Sequence, residues 1–207
     1  MKKIISIVFI ISLISLGTIS YLYKTPIKNS KSNGTNIIAF GDSLVFGVGS
    51  TAGNDIFSTL SRKIGQPIIN KGVSGNTTVD ALARLESDVL NNDPRIVFVL
   101  LGGNDYLQKI PKETTFKNLA TIIEKIQDKG AAVILLGVRG GIFVDRFEED
   151  YKILSDTYQT GFVPNVLDGL ITNRKLMFDS IHPNDLGYKI VADKIFPEIK
   201  RLIDSND

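Results

Sequence analysis

An alcohol, an imidazole and a carboxylate can together run acyl transfer, and this 207-residue chain offers a place for each. A serine hydroxyl is a poor nucleophile until a base takes its proton. His182 is the only histidine, so an imidazole doing that work near neutral pH is this one. Asp179 lies three residues earlier in "FDSIHPND" (178–185), near enough to reach one ring nitrogen and leave the other free. Ser43 stands in "FGDSL" (40–44), straight after the apolar run "NIIA". Acyl transfer also needs donors aimed at the developing oxyanion. The backbone amides of Ser43 and Gly75 and the side-chain amide of Asn104 are the candidates, glycine at 75 allowing the backbone to come close.

Each piece alone has a plainer reading. Gly, Asn, Asp and Ser are the ordinary residues of tight turns, so "GDSLVFGVGS" (41–50), "KGVSGNTT" (71–78) and "GGNDYL" (102–107) can each be a turn and nothing more. Asp42 and Asp105 read as residues that order their own turns, and Asp179 as a local cap. One His and one Asp do not fill a metal coordination sphere, and the chain has no cysteine, so neither a metal nor a cofactor is implied. The "GxSxG" elbow is absent around Ser43, and "GVGSTAG" (47–53) is not followed by the Gly-Lys-Ser/Thr of a phosphate loop.

The elements that must position these residues alternate in type. "NIIAF" (36–40), "PIIN" (67–70), "RIVFVLL" (95–101) and "AAVILLGV" (131–138) are nearly continuous apolar runs, the pattern of strands buried on both faces. Between them, 54–65, 78–90 and 114–130 carry amphipathic helical patterns, with Asn54 and Thr77 as caps and Gly65 and Gly130 as stops. Further helices are expected over 146–160 and 184–203, the second kinked or split by Pro197. Leu119, Ile122, Ile123 and Ile126 form a stripe that reads as core. Alternation of this kind predicts an α/β domain with a parallel sheet, and in such folds ligands bind at the carboxyl ends of strands. All the candidate donors and the nucleophile stand just after such runs.

Five of the 24 basic residues lie in the first 35, which hold no acid, leaving 19 against 22 acidic residues in the body. A mildly acidic body gives no electrostatic support for nucleic acid as a partner. Ile4 to Tyr23 is uncharged and Ile-rich behind Lys2 and Lys3; as a helix it would span roughly 30 Å, the thickness of a bilayer core. Its length favours a signal anchor over 1–23 that stays, with a cleaved signal peptide as the alternative, and either exports the body. "KTPIKNSKSNGTN" has the composition of a tether, so 24–35 is expected to be a linker and 36–207 the folded domain.

Taken together and in order, "GDSL", "SGNT", "GGND" and "DSIH" resemble the GDSL or SGNH hydrolase family, and within it the small bacterial thioesterase-, arylesterase- and lysophospholipase-like enzymes. The resemblance covers roughly 36–203. It implies a three-layer α/β/α, flavodoxin-like sheet, with Ser43 as nucleophile, His182 as base and Asp179 as its partner. It also implies an oxyanion hole from the Ser43 amide, Gly75 and Asn104. The implied substrate is a small acyl ester, thioester or lysophospholipid. An O-acetyl esterase of envelope glycans and a non-catalytic, membrane-anchored binding module are the alternatives. Two features depart from those relatives: the long apolar N-terminus, and the segment 137–151, which takes the place of a substrate-side loop and whose paired glycines suggest mobility.

Overall fold

Five parallel strands in the order β2-β1-β3-β4-β5 form the centre of the molecule. The computed structural model describes residues 26–139 and 147–204. The strands are β1 (Asn36–Gly41), β2 (Ile68–Gly72), β3 (Pro94–Leu100), β4 (Ala132–Leu136) and β5 (Gly161–Val163). The four apolar runs of the sequence are thus four strands. The fifth, only three residues long, has too little pattern to be seen without its neighbour β4. Phe98 at the centre of β3 is fully buried between Ala39 on β1 and Ile134 on β4. The strand order makes β1 and β3 the pair at which the chain's direction of winding reverses, and the loops after these two strands open the crevice that such sheets use for ligands.

Helices cover both faces. On one lie α2 (Ile56–Ile64) and α7 (Asp185–Asp204), packed on each other; on the other lie α3 (Thr78–Leu85), α5 (Lys112–Asp128) and α6 (Phe147–Tyr158). Two short helices, α1 (Ser43–Phe46) and α4 (Gly103–Leu107), begin where β1 and β3 end. Leu119, Ile122, Ile123 and Ile126 of α5 are completely buried against the sheet, each contributing roughly 1.5–3 kcal/mol by leaving water. Three details differ from the sequence expectation. The cap of α2 is Asp55, whose carboxylate accepts from the Phe57 and Ser58 amides, and Asn54 instead reaches out to Asp185. Thr77 does cap α3, with Asp80 returning the bond in a capping box, but the last turn, Glu86–Leu90, widens to a π-helix. The final helix continues through Pro197. One intrahelical bond is necessarily absent there, yet Ile195 and Ile199 on either side stay fully buried and hold the helix to the sheet.

The described part of the stretch with tether composition lies along the body. Ile27 is buried against Gly161 at the start of β5, the Lys28 amide donates to the Gln159 carbonyl, and the Asn29 side chain donates to the Gln127 and Ala131 carbonyls. Thr35 closes the run with bonds from its amide and hydroxyl to the Asp93 carboxylate. Polar residues here satisfy backbone groups at the amino ends of the strands, which composition alone cannot distinguish from solvation. The expected N-terminal hydrophobic helix over 1–23 lies outside the described residues, as do Gly140 and Gly141 of the expected substrate-side loop. Among the described residues no helix is long and apolar enough to cross a membrane. Residues 147–151, expected within that loop, are the first turns of α6.

Candidate active site

Ser43 is the first residue of α1 and is nearly buried. Asp42 caps this short helix, its carboxylate accepting from the Leu44 amide at 3.0 Å. Gly41, just before it, is a residue of close approach: a Cβ there would stand 2.2 Å from the Leu100 carbonyl and 2.4 Å from a Val45 methyl. The turn is therefore tight, and it points Oγ of Ser43 at the loop preceding α7. There Nε2 of His182 lies 3.0 Å from Oγ of Ser43, and Nδ1 of His182 lies 2.7 Å from Oδ2 of Asp179. The loop holding both is folded on itself. The Phe178 amide donates to the His182 carbonyl, Met177 bridges Pro183, and Oδ1 of Asp179 accepts from the Ile181 and His182 amides. Burial works to raise the Asp179 carboxyl. The hydrogen bond from the His182 ring, the two amides and the ring's charge outweigh it, so the pKa sits below the ordinary carboxylate value. A carboxylate that stays ionised can hold Nδ1 protonated and leave Nε2 as the acceptor facing Ser43.

Asn104 and Gly75 come from the loops after β3 and β2, on either side of Ser43. Nδ2 of Asn104 donates to the Asn76 carbonyl at 3.0 Å and lies at the long limit of 3.5 Å from Oδ2 of Asp42. One amide hydrogen is thus committed, while the other is held weakly and remains available to an oxyanion. Asp42 is almost fully buried, and that burial raises its pKa to about 6 against the opposing Leu44 amide and His182. Gly75 has φ +83° in the turn closed by the Asn76 amide on the Val73 carbonyl. No protein atom would crowd a Cβ at 75. That left-handed backbone conformation by itself asks for glycine. Asp105 also differs from expectation. It is completely buried and does not order its own turn; it accepts from the Thr78 amide and hydroxyl at 2.9 and 2.5 Å, tying the start of α3 to α4.

Supporting residues were not visible as such in the sequence. Asp185, three residues after His182, accepts from the amide and hydroxyl of Thr51, which fastens the loop after α1 to the start of α7. Tyr188, fully buried, donates to the Val48 carbonyl at 2.6 Å, and burial pushes its hydroxyl pKa up. Both partners are more than 130 residues away in sequence, so no local pattern announces them. Exposed apolar side chains lie within three residues of the site residues along the chain: Phe46 after Ser43, Val73 before Gly75, Tyr106 after Asn104, Phe178 before Asp179 and Ile181 before His182.

Known proteins resemble this chain over most of the described domain. The GDSL-like lipase/acylhydrolase family matches residues 39–190, which include the loops that carry all five site residues. The chain is 26% identical over 178 residues to esterase TesA of Pseudomonas aeruginosa, covering 81% of this chain and 89% of that protein. It is 27% identical over 142 residues to thioesterase 1/protease 1/lysophospholipase L1 of Escherichia coli K12, covering 66% of this chain and 68% of that one. Among solved structures, the SGNH-hydrolase family esterase AlinE4 superposes with a TM-score of 0.64 at 31% identity, over 82% of this chain and 96% of AlinE4. An α/β sheet of this order, the reach of the family match and relatives that hydrolyse esters lead to one conclusion: the chain belongs to the GDSL-like lipase/acylhydrolase family and is an ester-bond hydrolase.

Proposed function

We propose that the protein hydrolyses carboxylic esters and thioesters through an acyl-enzyme on Ser43. The observation that carries this reading is the continuous line of hydrogen bonds from Oγ of Ser43 through the His182 ring to Asp179. Oγ attacks the substrate carbonyl carbon as Nε2 of His182 takes its proton. The tetrahedral oxyanion is met by the Ser43 and Gly75 amides and by Nδ2 of Asn104. Collapse breaks the bond to the alcohol or thiol, which leaves with the proton from His182. A water then repeats the sequence on the acyl group, releasing the acid and restoring Ser43. The exposed apolar side chains of Phe46, Val73 and Phe178, each within three residues of a site residue in the chain, support acyl groups longer than acetyl, as in a fatty thioester or a lysophospholipid.

The apolar stretch from Ile4 to Tyr23 supports export and retention at a membrane. Only three residues separate Tyr23 from Ile27, where the chain is docked at the amino ends of the strands. An anchor there would hold the body by the end opposite Ser43.

The test compares the full-length wild type with Ser43→Ala on p-nitrophenyl acetate and octanoate. Hydrolysis by the wild type and none by the variant is the expected result, with octanoate preferred. Preference for acetate would move the substrate to O-acetyl groups. Undiminished hydrolysis by Ser43→Ala would overturn the acyl-enzyme. A folded wild type that neither hydrolyses esters nor is labelled at Ser43 by a serine-directed phosphonate would point to a binding module.

A further inference from the structure

The oxyanion donors come from separate loops, and one side chain is bonded to the ends of two of the strands that carry them. Arg84, on α3, has a largely buried side chain, 17% exposed. Its Nη2 donates to the Gly41 carbonyl at 2.8 Å, two residues before Ser43. Its Nη1 donates to the Lys71 carbonyl at 2.9 Å near the end of β2, and to the Asp88 carboxylate at 2.7 Å. Its Nε donates to Oδ1 of Asn76 at 2.6 Å. The guanidinium also lies 4.4 Å above the ring centre of Phe40, the residue before Gly41. Asn76 is the junction: its backbone joins the Gly75 peptide, its carbonyl accepts Nδ2 of Asn104, and its side chain is held by Arg84.

We infer that Arg84 is a positioning residue of the oxyanion hole, setting the Ser43, Gly75 and Asn104 donors relative to one another through Gly41, Lys71 and Asn76. The inference rests on the acyl-enzyme reading above. Only a planar fork with several fixed donors reaches two carbonyls, an amide oxygen and a carboxylate while stacking on an aromatic ring. Lysine keeps the charge and loses that geometry. Arg84 touches no reacting atom, so its loss displaces donors that act mainly on the transition state. Such a displacement lowers kcat and leaves substrate binding nearly unchanged.

The experiment measures kcat and KM for p-nitrophenyl esters with the full-length wild type, Arg84→Lys, Asn76→Ala, the double variant and Ser43→Ala, with far-UV circular dichroism and melting temperature on each. Arg84→Lys is expected to lower kcat roughly 10- to 100-fold, the scale of a small misplacement at a reacting centre, with KM within about threefold. Asn76→Ala, which leaves the arginine's bonds to the strands intact, is expected to lower kcat less, and the double variant to fall no further than Arg84→Lys by more than about twofold. Folded Arg84→Lys with kcat within twofold of wild type would overturn the inference. So would losses that multiply in the double variant, because the two residues would then act separately. If Arg84→Lys does not fold, Asn76→Ala alone decides: reduced kcat at constant KM supports the inference, and wild-type kinetics overturns it. Activity surviving in Ser43→Ala would instead mark failure of the acyl-enzyme reading.

Discussion

Asp42 is the residue at which geometry and charge conflict most. Its carboxylate caps α1 and faces Asn104, but burial raises its pKa to about 6 from an ordinary 3.8. The folded-state value exceeds the unfolded one, so the group favours folding below about pH 4 and costs stability as pH rises through about 6. Asp42→Asn keeps the cap acceptor and removes the charge. It should raise stability at pH 7.5 by on the order of 1–3 kcal/mol, with the gain vanishing toward pH 4. Urea unfolding at both pH values checks this, and an equal effect at both would contradict the assignment of the cost to charge. Asn104 is the complementary case, an uncharged donor. Asn104→Ala should lower kcat by about 10²–10³ without unfolding the protein, the size expected for one oxyanion donor. A kcat unchanged in steady-state assays would take Asn104 out of that role.

Among the elements, the start of α3 depends on α4, the short helix that follows β3. Asp105, on α4, is the shared acceptor for the Thr78 amide, the Thr78 hydroxyl and, at 3.3 Å, the Thr115 hydroxyl of α5. One buried carboxylate therefore joins three helices. Asp105→Ala would leave those donors without their acceptor and should cost roughly 3 kcal/mol of stability. Thr115→Ala removes only the longest of the three bonds and should cost under about 1 kcal/mol. Denaturant midpoints of the two variants give the comparison, and equal losses would mean that Asp105 is not the hub. The start of α7, just after the His182 loop, is held likewise by a partner far along the chain, Asp185 on Thr51. The His182 side of the site is thus tied to the Ser43 side.

For the whole molecule, Pro26–Thr35 is the part whose composition and behaviour diverge most. Burial of Ile27 and the bonds of Asn29 and Thr35 close the amino ends of the strands. A chain begun at residue 36 should melt on the order of 5–10 °C below one begun at residue 26, from loss of one buried isoleucine and several hydrogen bonds. Identical melting curves would return the stretch to the role of a free tether.

The sequence by itself determined the sheet's four main strands, its parallel class and the loops in which the chemistry lies. Continuous apolar runs and helical periodicity are local signals that can be read without the tertiary structure. Ser43, Asn104, Asp179 and His182 were legible as candidates because four short motifs stand in order at strand ends, although each alone reads as a turn. Tertiary structure alone decided what joins them. The reach of His182 to Ser43 spans 139 positions, and that of Arg84 to Gly41 spans 43. Asp105 looked like a turn residue until its partner Thr78 was brought beside it, and the polar run after Pro26 looked solvated until the strand ends lay under it. Hydrogen bonds between distant residues leave no periodicity in the chain, because their geometry exists only once the sheet has set the loops side by side.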